Sequence, residues 1–223
     1  MVWERVSKIT KISSDHKTMV IYGDHKPGDL QVMFTVLTPD EIACANRIRS
    51  PIHRKTWISS HVTLRTMLAN LLGLKPTDVV ISKNRFGRPY LANSSLFFNL
   101  SHTNNSYLLG FSTAGKIGID IEELSGEENL NELMDYAFSK EEVDICKNGN
   151  SHDRFLETWT LKEALLKAAG VGLVDELKSV NVVGKDNNYL DLLKFQRNTF
   201  SCPAGETGSI VFRGTDPVWY SWF

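Results

Sequence analysis

Two short stretches hold the residues whose types and spacing could do chemistry. In Ile117-Gly-Ile-Asp-Ile-Glu the acids are Asp120 and Glu122, and in Trp159-Thr-Leu-Lys-Glu-Ala-Leu-Leu-Lys the acid Glu163 lies between Lys162 and Lys167. If the first stretch is a strand, its period of two sends Gly118, Asp120 and Glu122 to one face and the three isoleucines to the other. Carboxylates about 6.6 Å apart at the backbone can then reach one hard cation, and Gly118 is expected to leave open space beside them. If the second stretch is a helix, Trp159, Glu163 and Lys167 recur every fourth residue and line one stripe. Both have plainer readings. For the strand alone, an amphipathic strip showing its polar face to water is the better reading, and Glu-Lys at this spacing is ordinarily a surface ion pair. A large indole on the same stripe argues that this face is at least partly covered. Glu163 would complete a three-carboxylate site if the stripe met the strand, a meeting that the sequence does not show.

Those stretches need elements to position them. Apolar and β-branched runs at 8–12, 19–22 and 32–36 predict strands, separated by turn formers such as Gly23-Asp24 and Pro27-Gly28. Thr38-Pro-Asp-Glu is a helix start, with Thr38 as cap, Pro39 at the first position and Glu41 closing the box. A second helix is predicted over about 55–72, ending at Gly73. Strands follow near 79–82, 96–100, 107–112 and 116–123, with a turn at Asn84-Arg-Phe-Gly-Arg-Pro. Helices are expected near 130–136, 140–146 and 154–169, and strands with turns fill the remainder. The order strand, helix, strands occurs twice, which predicts an α+β protein of two similar halves, 1–113 and 114–223, packed as a pseudo-dimer around a shared cleft.

Composition narrows the function classes. The 223 residues carry a formal net charge of -1, which gives no whole-molecule attraction to nucleic acid. The average conceals a division: residues 1–113 have 14 Lys+Arg against 7 Asp+Glu, a net +7, and residues 114–223 have 11 against 19, a net -8. A basic half beside an acidic half suggests a seam between a polyanion and a cation; two solvated surfaces of unequal composition would give the same counts. Cys44, Cys146 and Cys202 are widely spaced with no CxxC, which argues against disulfides and zinc. No run approaches the roughly 20 apolar residues of a membrane span, and the N-terminal residues lack an apolar signal core. The expected setting is cytoplasmic.

Four segments in order, Asn84-Arg-Phe-Gly-Arg-Pro, Phe98-Asn-Leu-Ser-His, Ile117-Gly-Ile-Asp-Ile-Glu and Trp159-Thr-Leu-Lys-Glu-Ala-Leu-Leu-Lys, resemble the signature motifs of the phosphopantetheinyl transferase superfamily. The resemblance runs from about Thr38 to Val183, and the length points to the two-domain, surfactin-synthetase-activating type. It implies that Asp120, Glu122 and Glu163 bind magnesium with the diphosphate of coenzyme A, and that Lys162 and Lys167 lie near that diphosphate. Ser101 and His102 would hold the nucleotide. Arg88 stands where many members have lysine, and Arg54, then Arg47, are the best choices in the basic segment that looks like the 3′-phosphate region. The implied reaction moves 4′-phosphopantetheine from coenzyme A to a serine of an acyl or peptidyl carrier protein, with Glu163 and Lys167 as the catalytic pair. The duplication implies a monomer. The segment Ala168-Ala-Gly-Val-Gly-Leu is expected to meet the carrier. The alternative is an inactive paralogue that captures coenzyme A or a carrier without transfer. A Ser101–His102 nucleophile is rejected, since neighbouring side chains on an extended segment point apart.

Overall fold

The computed structural model describes residues 3–5, 12, 16–24, 33–124, 129–170, 177–183 and 194–222. Most of the strand expected at 8–12, and Val171 and Leu173, expected to meet the carrier, lie outside these. The chain begins with the short strand β1 (Glu4–Arg5) and continues through β2 (Thr18–Asp24) into helix α1 (Pro39–Arg47), closed by the Thr38–Glu41 capping box. Met33 and Phe34 are helical and Thr35 and Val36 form a turn, with Val36 N–H donating to Met33 O, where a strand was expected. A short apolar run does not distinguish the two, and here Met33 and Phe34 pack on Leu37, Ala45 and Ile58.

Helix α2 (Pro51–Leu72) starts four residues before the expected point because Ser50 caps it and Pro51 opens it, and it stops at Gly73. A hairpin of β3 (Ile81–Lys83) and β4 (Pro89–Leu91) follows, then β5 (Phe97–His102), β6 (Ser106–Ser112) and β7 (Ile117–Glu122). Next come α3 (Leu130–Ala137), α4 (Lys140–Lys147) and α5 (Ser151–Ala169), then β8 (Gln196–Ser201), β9 (Thr207–Phe212) and β10 (Val218–Trp222).

The strands form a large sheet in the order β1-β10-β2-β6-β5, a small one in the order β7-β9-β8, and the separate hairpin. Helix α2 covers one face of the large sheet, where Leu64, Met67 and Leu68 meet Met19, Ile21, Leu109 and Phe111. The opposite face, through Val20, Tyr22 and Leu108, packs on Ile117, Ile119, Ile121 and Ile210 of the small sheet. The far side of the small sheet carries α5 through Leu161, Ala164, Leu165 and Ala168, with α3 and α4 outside it. The protein is therefore a layered α+β structure with β7 between the two sheets' shared core and α5.

That placement orients the carboxylates. Ile117, Ile119 and Ile121 are 0% exposed, and their burial contributes roughly 5–9 kcal/mol together. A slip of one residue would exchange them for Gly118, Asp120 and Glu122, so the apolar face fixes the direction of the acidic one.

One strand from after position 114 joins the sheet built by the first strands. Strand β10, from the end of the chain, runs parallel to β1 and β2 and lies between them. Parallel pairing between segments so distant in sequence leaves no local signal.

Candidate active site

Helix α5 reaches β7 because Gly118 has no side chain. A Cβ there would fall 2.0 Å from Ala164 O and 2.3 Å from Ala168 N, so the expected open space is filled by the helix backbone. The close contact brings the Trp159–Glu163–Lys167 stripe over Asp120 and Glu122. Leu100, Ser101, His102, Asp120, Glu122, Trp159, Glu163 and Lys167 line one cleft of about 420 Å³.

Strand β5 forms the cleft's other wall, and side chains tie it to β7. Asn99 Oδ1 accepts from Ile119 N–H at 2.8 Å, and Ser101 Oγ donates to Asp120 Oδ1 at 2.8 Å. Lys167 Nζ donates to the same Oδ1 at 2.6 Å and to Ser101 Oγ at 3.0 Å. Asp120 is only 2% exposed, and its second oxygen, Oδ2, is buried without a partner among the described residues.

Charge is crowded here. Burial, then Asp120, pushes the Glu122 carboxyl up to about 7, against opposing pulls from Lys167 and a hydrogen bond from the Trp159 side chain. Burial and Asp120 likewise raise Glu163, and Lys167 opposes them. His102 is lowered by burial and by the positive Lys167 and His53, which favours its neutral form.

Among the described residues no group of three or more His, Cys, Asp or Glu side chains is gathered tightly enough to hold a metal ion. The donors nevertheless suit a hard cation in kind. Three carboxylates share a cleft, two are raised by burial and like charge, and one buried oxygen is unpartnered.

Four other expected residues lie elsewhere. Lys162 does not face the cleft: its ammonium is buried against Glu142, Ala137 O and Leu177 O. Arg88 donates to Ala168 O at 3.0 Å and Ile117 O at 2.8 Å, clamping the β3–β4 turn to the end of α5, and lines a separate groove. Arg47 is exposed, with Nη2 donating to Cys44 Sγ at 3.0 Å, and Arg54 is exposed. Neither lines the cleft.

The sequence reading missed a second hollow of about 330 Å³, lined by Ile48, His53, Thr56, Trp57, His102, Thr103, Asn104, Glu122 and Glu123. It joins the first through His102 and Glu122. Thr56 fixes its floor by donating to Asn104 O at 2.8 Å. Its residues come from α2 and the residue Ile48 before it, the end of β5 and the turn after it, and the end of β7, so no spacing along the chain could have grouped them.

The family model of the 4′-phosphopantetheinyl transferase superfamily matches residues 116–208, the span holding β7 and α5. Over 172 residues the chain is 33% identical to the 4′-phosphopantetheinyl transferase HetI of a Nostoc species, covering 74% of this chain and 73% of that protein. It is 34% identical over 170 residues to a putative 4′-phosphopantetheinyl transferase of Haemophilus influenzae, 70% of each chain. A Bacillus subtilis 4′-phosphopantetheinyl transferase is 28% identical over 131 residues, 58% of each chain, so other relatives are spanned only in part. Matches of this extent, falling on the strand and helix that form the cleft, make the chain a member of the 4′-phosphopantetheinyl transferase superfamily.

Proposed function

We propose that the protein transfers 4′-phosphopantetheine from coenzyme A to a serine of an acyl or peptidyl carrier protein, releasing adenosine 3′,5′-bisphosphate. The observation that carries this reading is the convergence of Ser101, His102, Asp120, Glu122, Glu163 and Lys167 on one cleft. Phosphoryl transfer needs little covalent chemistry from the protein, and its catalysis is mostly positioning and charge neutralisation. A half-buried cleft offering a lysine, a hydroxyl and three carboxylates suits those needs.

In this reading Lys167 binds the diphosphate, and Ser101 and His102, with the adjoining His53–Trp57 hollow, receive the nucleotide. Asp120, Glu122 and Glu163 would hold magnesium, which when bound supplies charge neutralisation and Lewis acidity at the diphosphate. A Glu163 carboxylate oxygen accepts the carrier serine's proton, a role favoured by its raised proton affinity. Lys167, now bonded to Asp120 and Ser101, stabilises the charge on the transferred phosphate. The roles of Arg47 and Arg54 at the 3′-phosphate are proposals from position alone. The duplicated order of elements favours two α+β halves acting as a pseudo-dimer within a monomer. No helix among the described residues is long and apolar enough to cross a membrane, and the reaction is assigned to the cytoplasm with its substrates.

The test is to incubate the protein with coenzyme A, magnesium and an unmodified carrier, and to weigh the carrier. A gain of one phosphopantetheine supports transfer; bound coenzyme A with no gain would make the protein a capture module. Glu163→Gln is expected to abolish the gain while leaving circular dichroism unchanged. Full activity in that variant would remove Glu163 from both roles.

A further inference from the structure

Lys162 is adjacent to Glu163 on α5, yet its side chain is 2% exposed and lies among the largest fully buried ones. Its ammonium has three N–H groups, and all three are engaged: Glu142 Oε2 at 2.6 Å, Ala137 O at 2.8 Å and Leu177 O at 3.1 Å. Glu142 is 0% exposed and is satisfied in turn. Its Oε2 also accepts from Ser139 N–H at 2.8 Å, and its Oε1 accepts from Val182 N–H at 3.0 Å. One knot therefore joins the end of α3, the start of α4, the middle of α5 and the segment returning at 177–182.

Stability is a poor reason for such a pair. Desolvating both charges cancels much of their attraction, and apolar side chains of the same volume often do as well. What a fully satisfied ammonium adds is direction, because its position is set by three acceptors on three different pieces of chain. Neighbouring residues on a helix are about 100° apart. Holding position 162 toward α3 and α4 therefore sets which way positions 163 and 167 face. Gly118, on the other side of α5, fixes how closely the helix approaches β7.

The geometry points to Lys162 as a positioning residue that acts through Glu142 to set the roll of α5, and thereby aims Glu163 and Lys167 at Asp120 and Glu122. This rests on the proposed transfer reaction and deepens it, replacing a phosphate-binding lysine by one that never touches the substrate.

Two variants test it, Lys162→Met and Glu142→Gln, with transfer kinetics and fluorine NMR on protein labelled with 5-fluorotryptophan. Trp159 lies on the same helix, and its signal is identified by its loss in Trp159→Phe. Glu142→Gln keeps the shape and one acceptor oxygen, so it decides the matter if Lys162→Met does not fold. The expected result is a kcat lowered about 10- to 100-fold in each, the range for a misplacement near 1 Å. The KM for coenzyme A should stay within about threefold of wild type by the same argument, and the Trp159 signal should shift. A wild-type kcat or an unmoved Trp159 signal in Glu142→Gln would overturn the proposal, as would a KM that rises in step with the loss of kcat in Lys162→Met. Should the wild-type chain fail to modify a carrier, the functional reading fails, and the Trp159 signal still decides whether the pair sets the roll of α5.

Discussion

Glu122 shows how the cleft stores electrostatic tension. Its carboxyl is raised from the ordinary 4.5 to about 7, first by burial and then by Asp120. Between those two pH values the folded chain holds a proton that the unfolded chain has lost, so the stability this group contributes is present below about 4.5 and is lost as pH rises through 7. Glu122→Gln is therefore expected to raise the thermal midpoint of the metal-free protein at pH 8 by a few degrees and to leave it unchanged at pH 4. Calorimetry in chelator at the two pH values checks this, and an equal shift at both would place the cause in packing. A cation that binds the folded chain alone stabilises it by mass action. If magnesium binds as proposed, it is expected to raise the wild-type midpoint at pH 8 and to have little effect on Asp120→Asn, the most buried of the three proposed ligands.

The contact between β7 and α5 sets the geometry of everything in the cleft. Gly118→Ala would drive a methyl group into the backbone at Ala164 and Ala168, neither of which can swing aside as a side-chain tip would. A loss of about 3 kcal/mol is expected, or roughly 6–12 °C in a chain of this size, together with transfer activity. An unshifted melting curve would mean that the helix has room to spare. Much at this scale was legible in the sequence. The alternation at 117–122 gave β7 its two faces, and the four-residue recurrence of Trp159, Glu163 and Lys167 marked the stripe that meets it. The cap signal at Thr38 is realised as a capping box. The pattern misled where a residue's type was read without its neighbours. Gly118 serves a close approach rather than an open space, and Lys162 and Arg88 spend their charge on buried partners within the protein. Local spacing carries no trace of those partners, which are 20 and 80 residues away.

At the scale of the molecule, the two sheets share one core, and the last strand belongs to the larger of them. Removing residues 216–223 would take away β10 and part β1 from β2, although every residue of the cleft lies before position 168. The truncated chain is expected to be insoluble or molten, without near-ultraviolet dichroism; a soluble, active truncation would show β10 to be dispensable. The same strand bears on how the protein is made. A ribosome releases β2, β5 and β6 long before β10 exists, so the large sheet cannot close until that strand emerges. Its apolar edge must wait until then, at risk of pairing with other nascent chains. The amount of folded protein in a cell therefore depends on whatever shields that waiting edge.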